Sequence, residues 1–319
     1  MIPKPKLGTV PFKVAVPAKF TLCSSAADDE MFEYIKSLSR LVVLPHSIFA
    51  LPFALAAMIL SYSRGPLVKV PPLPATFGLI IAAVIAARTA AMAFNRLIDA
   101  RIDGRNPRTE DREIPAGKIT STAVAVLTIA ASGLFLFCSY LLGSHCLMLA
   151  PFVLAILFLY SFTKRFSHAA HIILGVALAL APGGAWWVFR PQIEFTPLLL
   201  MASVVLWVAG FDLLYSTQDV DFDRRNGIFS IPALVGIDRS LRISTGLHIA
   251  AMSGFVILGT TIGGGPIYYL GTVIIGYLFI SQHRQISPYD LSRINRSFFT
   301  INGIISLAYL AVIAIDQLQ

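Results

Sequence analysis

Long apolar runs separated by short polar connectors fill the chain from about residue 41 onward. Runs of about 20 apolar residues, the length that crosses roughly 30 Å of hydrocarbon at 1.5 Å per residue, fall at 41–62, 73–98, 120–143, 145–163, 169–189, 197–217, 241–262, 266–282 and 298–316. The pattern predicts an all-α polytopic membrane protein with nine transmembrane helices. Residues 1–30 contain no uninterrupted apolar core and so do not read as a cleavable signal peptide. They form an N-terminal extension, either disordered or upstream of a natural start at Met31, where "MFEYIKSLSRLVVLPHSIFALPFAL" runs from an amphipathic lead straight into the first span. The transmembrane domain then occupies 31–319.

Composition agrees with the pattern: 56% hydrophobic and 13% charged residues exclude an ordinary soluble domain. The net charge of +8 changes the picture only through its placement. Cytoplasmic loops carry the excess of Lys and Arg. With the N-terminus inside, the inner segments hold six such residues in 1–40, six in 96–118, two at 164–165, four in 224–242 and three in 284–296, making 21 of 25. The outer segments hold Arg64, Lys69 and Arg190, and Arg88 lies within a span. The charge is a topology signal for an inner, cytoplasmic membrane, and nothing else in the chain supports a nucleic-acid partner. Cys23, Cys138 and Cys146 show no metal-binding or redox spacing and read as small apolar fillers.

The second span runs into a cytoplasmic loop through "FNRLIDARIDGRNPRTEDREIPAGK", residues 94–118. Four-residue steps drift only about 40° around a helix, so Asn95, Asp99 and Asp103 share one face if the helix persists that far. Gly104 and Pro107 then stop it. Arg88, seven residues before Asn95, lies about 20° from the same face and about 16 Å of helix rise from Asp99. An arginine at that depth is costly in lipid, so it is expected to face the bundle interior with a partner.

A second cluster, "FDLLYSTQDVDFDRRNGIFSIP" (211–232), closes the sixth span on the same side of the membrane. Asp212, Tyr215, Asp219 and Asp223 fall within about 80° of arc on a continuous helix, whereas Asp221 points about 180° away as a solvated outlier. Oxygen ligands in this number suit a hard cation such as Mg²⁺, bridging carboxylates to substrate phosphates. Arg105, Arg108 and Arg112 follow the first cluster, and Arg224 and Arg225 the second. Two acidic stripes rimmed by guanidinium groups describe a diphosphate site. Inner loops are basic with a few balancing acids in any case, which accounts for one isolated Asp but poorly for two stripes in register.

These segments match a family. "RTAAMAFNRLIDARID" resembles the first aspartate-rich motif of the UbiA superfamily of intramembrane prenyltransferases, and "DLLYSTQDVDFD" resembles its second. "RTEDREIPAGKI" is similar to the loop after the first motif, and "YSFTKRFSHAAHIILG" to the segment joining the fourth and fifth helices. The resemblance covers most of 31–319. It implies nine helices around a central cavity, Mg²⁺ held between the motifs, and transfer of a prenyl chain from its diphosphate to an acceptor. By position it implies Asn95, Asp99, Asp103, Asp212, Asp219 and Asp223 as metal ligands, with Tyr215 beside them. Some members carry a lysine near the end of "GIFSIP", where this chain has Phe229; Arg224, Arg225 or Lys164 is then the replacement basic contact. "HSIFALPFA" and "RTAAMAFNRLID" are similar to the branch that works in menaquinone synthesis by the futalosine route, often labelled 4-hydroxybenzoate polyprenyltransferase. The acceptor expected is an aromatic hydroxy acid, 4-hydroxybenzoate or 1,4-dihydroxy-6-naphthoate, in ubiquinone or menaquinone biosynthesis.

The chemistry asks for such residues, because an allylic diphosphate ionises only if charge on the leaving group is stabilised. Water must also be kept from the resulting cation. Asp99, Asp219 and Tyr215 are the expected catalytic residues, with Asp219 or Tyr215 able to assist loss of the ring proton. Arg88, Arg108, Arg112, Lys164, Arg165 and Arg224 are the expected substrate contacts, Arg165 for the acceptor carboxylate and Lys164 for the diphosphate. His46, in the first span, reads as a packing residue. The alternative is an ion-coupled transporter with carboxylate cation sites; such sites tend to lie near the midplane on broken helices, whereas both stripes sit at the inner rim. A soluble-type prenyl diphosphate synthase also pairs acidic motifs, and nine apolar spans argue against it.

Overall fold

A computed structural model describes residues 47–287, 290–291 and 293–317. The extension 1–30, Cys23, Met31 and His46 lie outside the described residues. The described part is built of helices: α1 Ser47–Ser63, α2 Leu73–Asp103, α3 Ser121–Leu142, α4 Ser144–Thr163, α5 Ala170–Phe189 and α6 Phe195–Ser216. A 3₁₀ turn Thr217–Asp219 leads into α7 Val220–Asn226 and α8 Ile231–Val235. Then come α9 Ile237–Ile262, α10 Pro266–Arg284, the short α11 Ile294–Arg296, a π turn Ser297–Ile301 and α12 Asn302–Asp316.

Each of the nine predicted segments contains helix. Among the described residues seven helices are long and apolar enough to cross a membrane. Residues 41–46 of the first segment lie outside the described residues, which leaves an apolar helix of under 18 residues there, and α10 dilutes its apolar run with Tyr268, Tyr269, Tyr277, Gln282 and His283.

In lipid the helices gain nothing from leaving water, so close packing and internal hydrogen bonds must hold the bundle. The contacts follow that rule. A Cβ on Gly175 of α5 would stand 2.5 Å from the Val205 carbonyl oxygen of α6, and one on Gly254 of α9 would stand 2.1 Å from Ser203 Oγ. At Gly175, which meets backbone, only glycine allows the crossing. Phe53 packs its ring against Tyr309 at 4.7 Å, Trp207 at 5.0 Å and Phe255 at 6.0 Å, tying α1, α6, α9 and α12 into one buried cluster. Inside it, Trp207 Nε1–H donates to Asn302 Oδ1 at 3.1 Å, and Asn302 Nδ2 donates to the Phe298 carbonyl of the π turn at 3.0 Å. The helices that hold the polar residues hang from this core.

Candidate active site

Helix α2 persists without a break to Asp103, and Gly104 ends it. Asn95, Asp99 and Asp103 therefore do occupy successive turns of one face. The second cluster departs from the expectation of a continuous α-helix. Ser216 and Thr217 donate their hydroxyls back to the Leu213 and Leu214 carbonyls, at 3.0 and 2.7 Å, where the chain tightens into the 3₁₀ turn. It resumes as α7 and stops at Gly227, whose φ of +65° is the left-handed helix end that glycine adopts freely.

The two clusters face one polar cavity of about 200 Å³. Its wall includes Asn95, Asp99, Asp103, Arg108, Arg112, Lys164, Asp212, Tyr215, Asp219 and Asp223, ten of the residues named above. Each carboxylate is already engaged. Asp99, 1% exposed, accepts from Asn95 Nδ2 at 3.0 Å, Lys164 Nζ at 2.6 Å and Arg165 Nη2 at 3.3 Å. Asp103 takes Arg112 Nη1 at 2.7 Å on both oxygens. Asp219 accepts the fork of Arg108, Nε at 2.9 Å and Nη2 at 2.5 Å, while Arg108 Nη1 donates to the Tyr215 hydroxyl at 3.0 Å. Burial works against the charge of Arg108, yet these bonds to Asp219 hold its pKa above the ordinary arginine value.

Among the described residues no three carboxylate, His or Cys side chains stand close enough together to hold a metal ion as they are. The donor chemistry does fit one: the candidates are oxygen ligands on two facing elements, the set that a hard divalent cation prefers.

Three candidates lie outside this wall. Arg165 spends its Nη2 on the Ile98 carbonyl at 2.6 Å and on Asp99, and it does not line the cavity. Arg224 is exposed and donates Nε to the Ala233 carbonyl at 2.8 Å, closing the turn before α8. Arg88 faces the interior as predicted, but the predicted partner is missing. Among the described residues it has no ion pair or hydrogen bond, and its Nε is buried. It lines a second, apolar cavity of about 290 Å³. Asp221 is exposed, as expected of the outlier.

The apolar cavity lies along the same helices as the polar one, with no residue lining both. On α2 the lining passes from Ile80, Val84, Ala87, Arg88 and Ala91 to Asn95, Asp99 and Asp103. On α4 it passes from Cys146, Val153 and Leu157 to Tyr160 and Lys164, and on α5 from Trp187 and Gly184 back to His171.

Sequence reasoning missed three polar residues. His171 Nδ1 lies 2.7 Å from Asp212 Oδ2, Asn106 Nδ2 donates to Asp219 Oδ1 at 3.1 Å, and Ser230 Oγ donates to Asp223 Oδ2 at 2.7 Å. Phe229, at the position of the family lysine, donates its backbone N–H to the Lys164 carbonyl at 2.9 Å, which brings Lys164 beside that position.

The description that matches this chain is the UbiA prenyltransferase family, over residues 49–304. The chain belongs to that family. It is 33% identical to the UbiA homolog of Aeropyrum pernix K1, solved without ligands, with a TM-score of 0.75 covering 85% of this chain and 98% of that one. A UbiA homolog from Archaeoglobus fulgidus bound to DMAPP and Mg²⁺ shares the fold at 15% identity, with a TM-score of 0.64 over 88% of this chain and 99% of that one. The 4-hydroxybenzoate octaprenyltransferase of Chromohalobacter salexigens is 29% identical over 229 residues, 70% of this chain and 74% of the relative. Membership in the UbiA family makes the protein a multi-pass membrane prenyltransferase, and both its acidic motifs line the polar cavity.

Proposed function

We propose that the protein transfers a polyprenyl chain from its diphosphate to the ring of an aromatic hydroxy acid, 4-hydroxybenzoate or 1,4-dihydroxy-6-naphthoate, in ubiquinone or menaquinone synthesis. The observation that carries this reading is the end-to-end placement of a carboxylate- and cation-lined cavity and an apolar one on shared faces of α2, α4 and α5. One end suits a diphosphate with its metal, and the other suits an isoprenoid chain. The naming of relatives as 4-hydroxybenzoate octaprenyltransferases supports an aromatic acid acceptor. The distribution of Lys and Arg supports an inner membrane with the polar cavity on the cytoplasmic side.

Asn95, Asp99 and Asp103 from α2, with Asp212, Asp219 and Asp223 opposite, would hold Mg²⁺, which when bound offsets the charge that gathers on the leaving diphosphate. Arg108, Arg112 and Lys164 line the same wall and take phosphate oxygens, with Lys164 in the role of the family lysine that Phe229 lacks. The bond between the allylic carbon and the diphosphate oxygen breaks with its electron pair leaving on oxygen. The ring carbon of the acceptor then bonds to the allylic carbon, and the apolar walls keep water away. The ring proton leaves last, with Asp219 and Tyr215 both on the cavity wall to receive it. Arg165 does not line the cavity, so this reading leaves it bracing Ile98 and Asp99. The unpaired guanidinium of Arg88 takes its carboxylate.

The test is an assay with the full chain in lipid nanodiscs, supplied with Mg²⁺, octaprenyl diphosphate and each acid in turn, with products identified by mass. A prenylated acid that disappears on chelation is the expected result. Prenyl transfer to neither acid would overturn the reading.

A further inference from the structure

We propose that Tyr160 orients the aromatic acceptor by holding its ring hydroxyl, while Arg88 holds the carboxylate at the opposite end of the ring; the proposal rests on the prenyl-transfer reading above. Tyr160 stands where the two cavities meet. Along α4, Leu157 is the last residue to line the apolar cavity and Tyr160 the first to line the polar one. Arg88 lies within its electrostatic reach on the apolar side, and Asp99 and Asp212 on the polar side.

Contacts between the helices set the levels. Asn95 Nδ2 lies 3.4 Å from Ser161 Oγ, and Lys164 Nζ lies 2.6 Å from Asp99 Oδ2, so α2 and α4 run parallel and Tyr160 is about level with Phe94. Arg88 is six residues back along α2, about 9 Å of helix rise. Helical side chains lean towards the N-terminus, which on α4 carries the Tyr160 ring towards the level of Arg88.

Most polar groups around the boundary already have partners. Asn95 donates to Asp99, Asp212 is paired with His171, and the Tyr215 hydroxyl accepts from Arg108. His171 Nε2 has no partner but is sealed from the cavity. The Tyr160 hydroxyl has no partner among the described residues either, and unlike that nitrogen it is not sealed. Two groups thus stand ready for a ligand, a hydroxyl at the boundary and a guanidinium on the apolar side.

The acceptor's chemistry matches that pair. A diphosphate in the polar cavity and its chain in the apolar one put the bond that breaks at the boundary, the level of Tyr160. The ring carbon that attacks is next to the acceptor's hydroxyl, because that oxygen feeds electron density to it, so the hydroxyl belongs at the boundary too. Both candidate acids carry hydroxyl and carboxylate at opposite ends of the ring system, and the carboxylate then points to Arg88. A hydroxyl donates and accepts, so it can meet the Tyr160 oxygen in either sense. No existing hydrogen bond has to break.

The experiment loads the full chain in nanodiscs with Mg²⁺ and a non-ionising thiolodiphosphate analogue of geranylgeranyl diphosphate. Equilibrium binding of the acid that is prenylated is then compared with that of its counterpart lacking hydroxyls: 4-hydroxybenzoate against benzoate, or 1,4-dihydroxy-6-naphthoate against 2-naphthoate. The unaltered protein should bind the hydroxy acid at least about fivefold more tightly, the worth of one net hydrogen bond. Tyr160→Phe keeps the ring and should bring the two acids within about twofold of each other by weakening the hydroxy acid alone. Its Kd for the thiolodiphosphate should also stay within about twofold, which separates this role from a diphosphate contact. Arg88→Leu should weaken both acids and keep the preference for the hydroxyl. A Tyr160→Phe protein that retains the preference, weakens both acids equally, or loses only the thiolodiphosphate overturns the proposal, as does an unaltered protein without the preference. If Tyr160→Phe does not fold, Tyr160→Met, a flexible filler without a hydroxyl, is read in the same way. A protein that makes no prenylated acid from geranylgeranyl diphosphate overturns the transfer reading and this inference together, whereas transfer with an unmoved hydroxyl preference in the variant overturns this inference alone.

Discussion

The two cavities share their helices and treat charge in opposite ways. In the polar cavity every candidate carboxylate has a partner inside the protein: Lys164 and Arg165 on Asp99, Arg112 on Asp103, Arg108 on Asp219, His171 on Asp212 and Ser230 on Asp223. In the apolar cavity Arg88 has none among the described residues. Paired charges can be held at rest and exchanged for ligand charges with little net change in field. An unpaired guanidinium surrounded by alanine and leucine is expensive and is relieved only by something that binds. The first arrangement is a site that waits satisfied; the second is a site that waits unsatisfied.

The strongest way to break this comparison is to remove charge from the satisfied end. Asp99→Asn and Asp219→Asn should each lower kcat by at least about a hundredfold, the scale of one lost electrostatic contact to a transition state. Steady-state rates beside thermal unfolding would show it, and near-normal turnover in either variant would remove the carboxylates from the chemistry. Arg88→Leu probes the other end. Its acceptor KM should rise about thirtyfold or more, as for a lost buried charge pair, while its Tm should hold or increase, because an unpaired charge has gone. A fall in Tm would mean that Arg88 is part of the packing after all.

A finer comparison sets shape against charge at Arg108. Arg108→Lys keeps the cation but loses the fork on Asp219, and should raise the KM for the prenyl diphosphate by roughly tenfold, the worth of one charge-assisted hydrogen bond. The smallest effects belong to exposed residues that line neither cavity. Asp221→Asn and Arg224→Ala should each stay within about twofold of the normal rate, since exposed substitutions rarely exceed ±0.5 kcal/mol. Loss at Asp221 equal to that at Asp219 would end the argument from helical faces.

The first stripe was legible because α2 is uninterrupted, so the 3.6-residue period applies from Arg88 to Asp103 and Gly104 supplies the stop. The second was legible despite an error. The 3₁₀ turn advances about 120° per residue instead of 100°, adding about 60° over three residues, and a face as wide as this cavity tolerates it. What periodicity could not supply was pairing. Arg108 and Asp219 are 111 residues apart, and His171 and Asp212 are 41 apart. Adjacent cations were likewise indistinguishable. Lys164 turns into the cavity and Arg165 along α2 to the Ile98 carbonyl, a difference of one residue that the sequence records only as two positive charges. Depth and direction put Arg88 inside the bundle, but only the assembled walls reveal that among the described residues no hydrogen bond or ion pair answers its charge.

The stacking of the two cavities on α2, a helix of 31 residues and so about 46 Å of rise, also decides how the reaction clears itself. Bond cleavage yields two fragments of opposite solubility. On the proposed reading diphosphate lies nearest the polar rim and can return to water directly, while the enlarged ring stays joined to a chain that already belongs to the oily interior. Neither fragment has to pass the other on its way out, and the fragment that could reverse the reaction is the first to be diluted away.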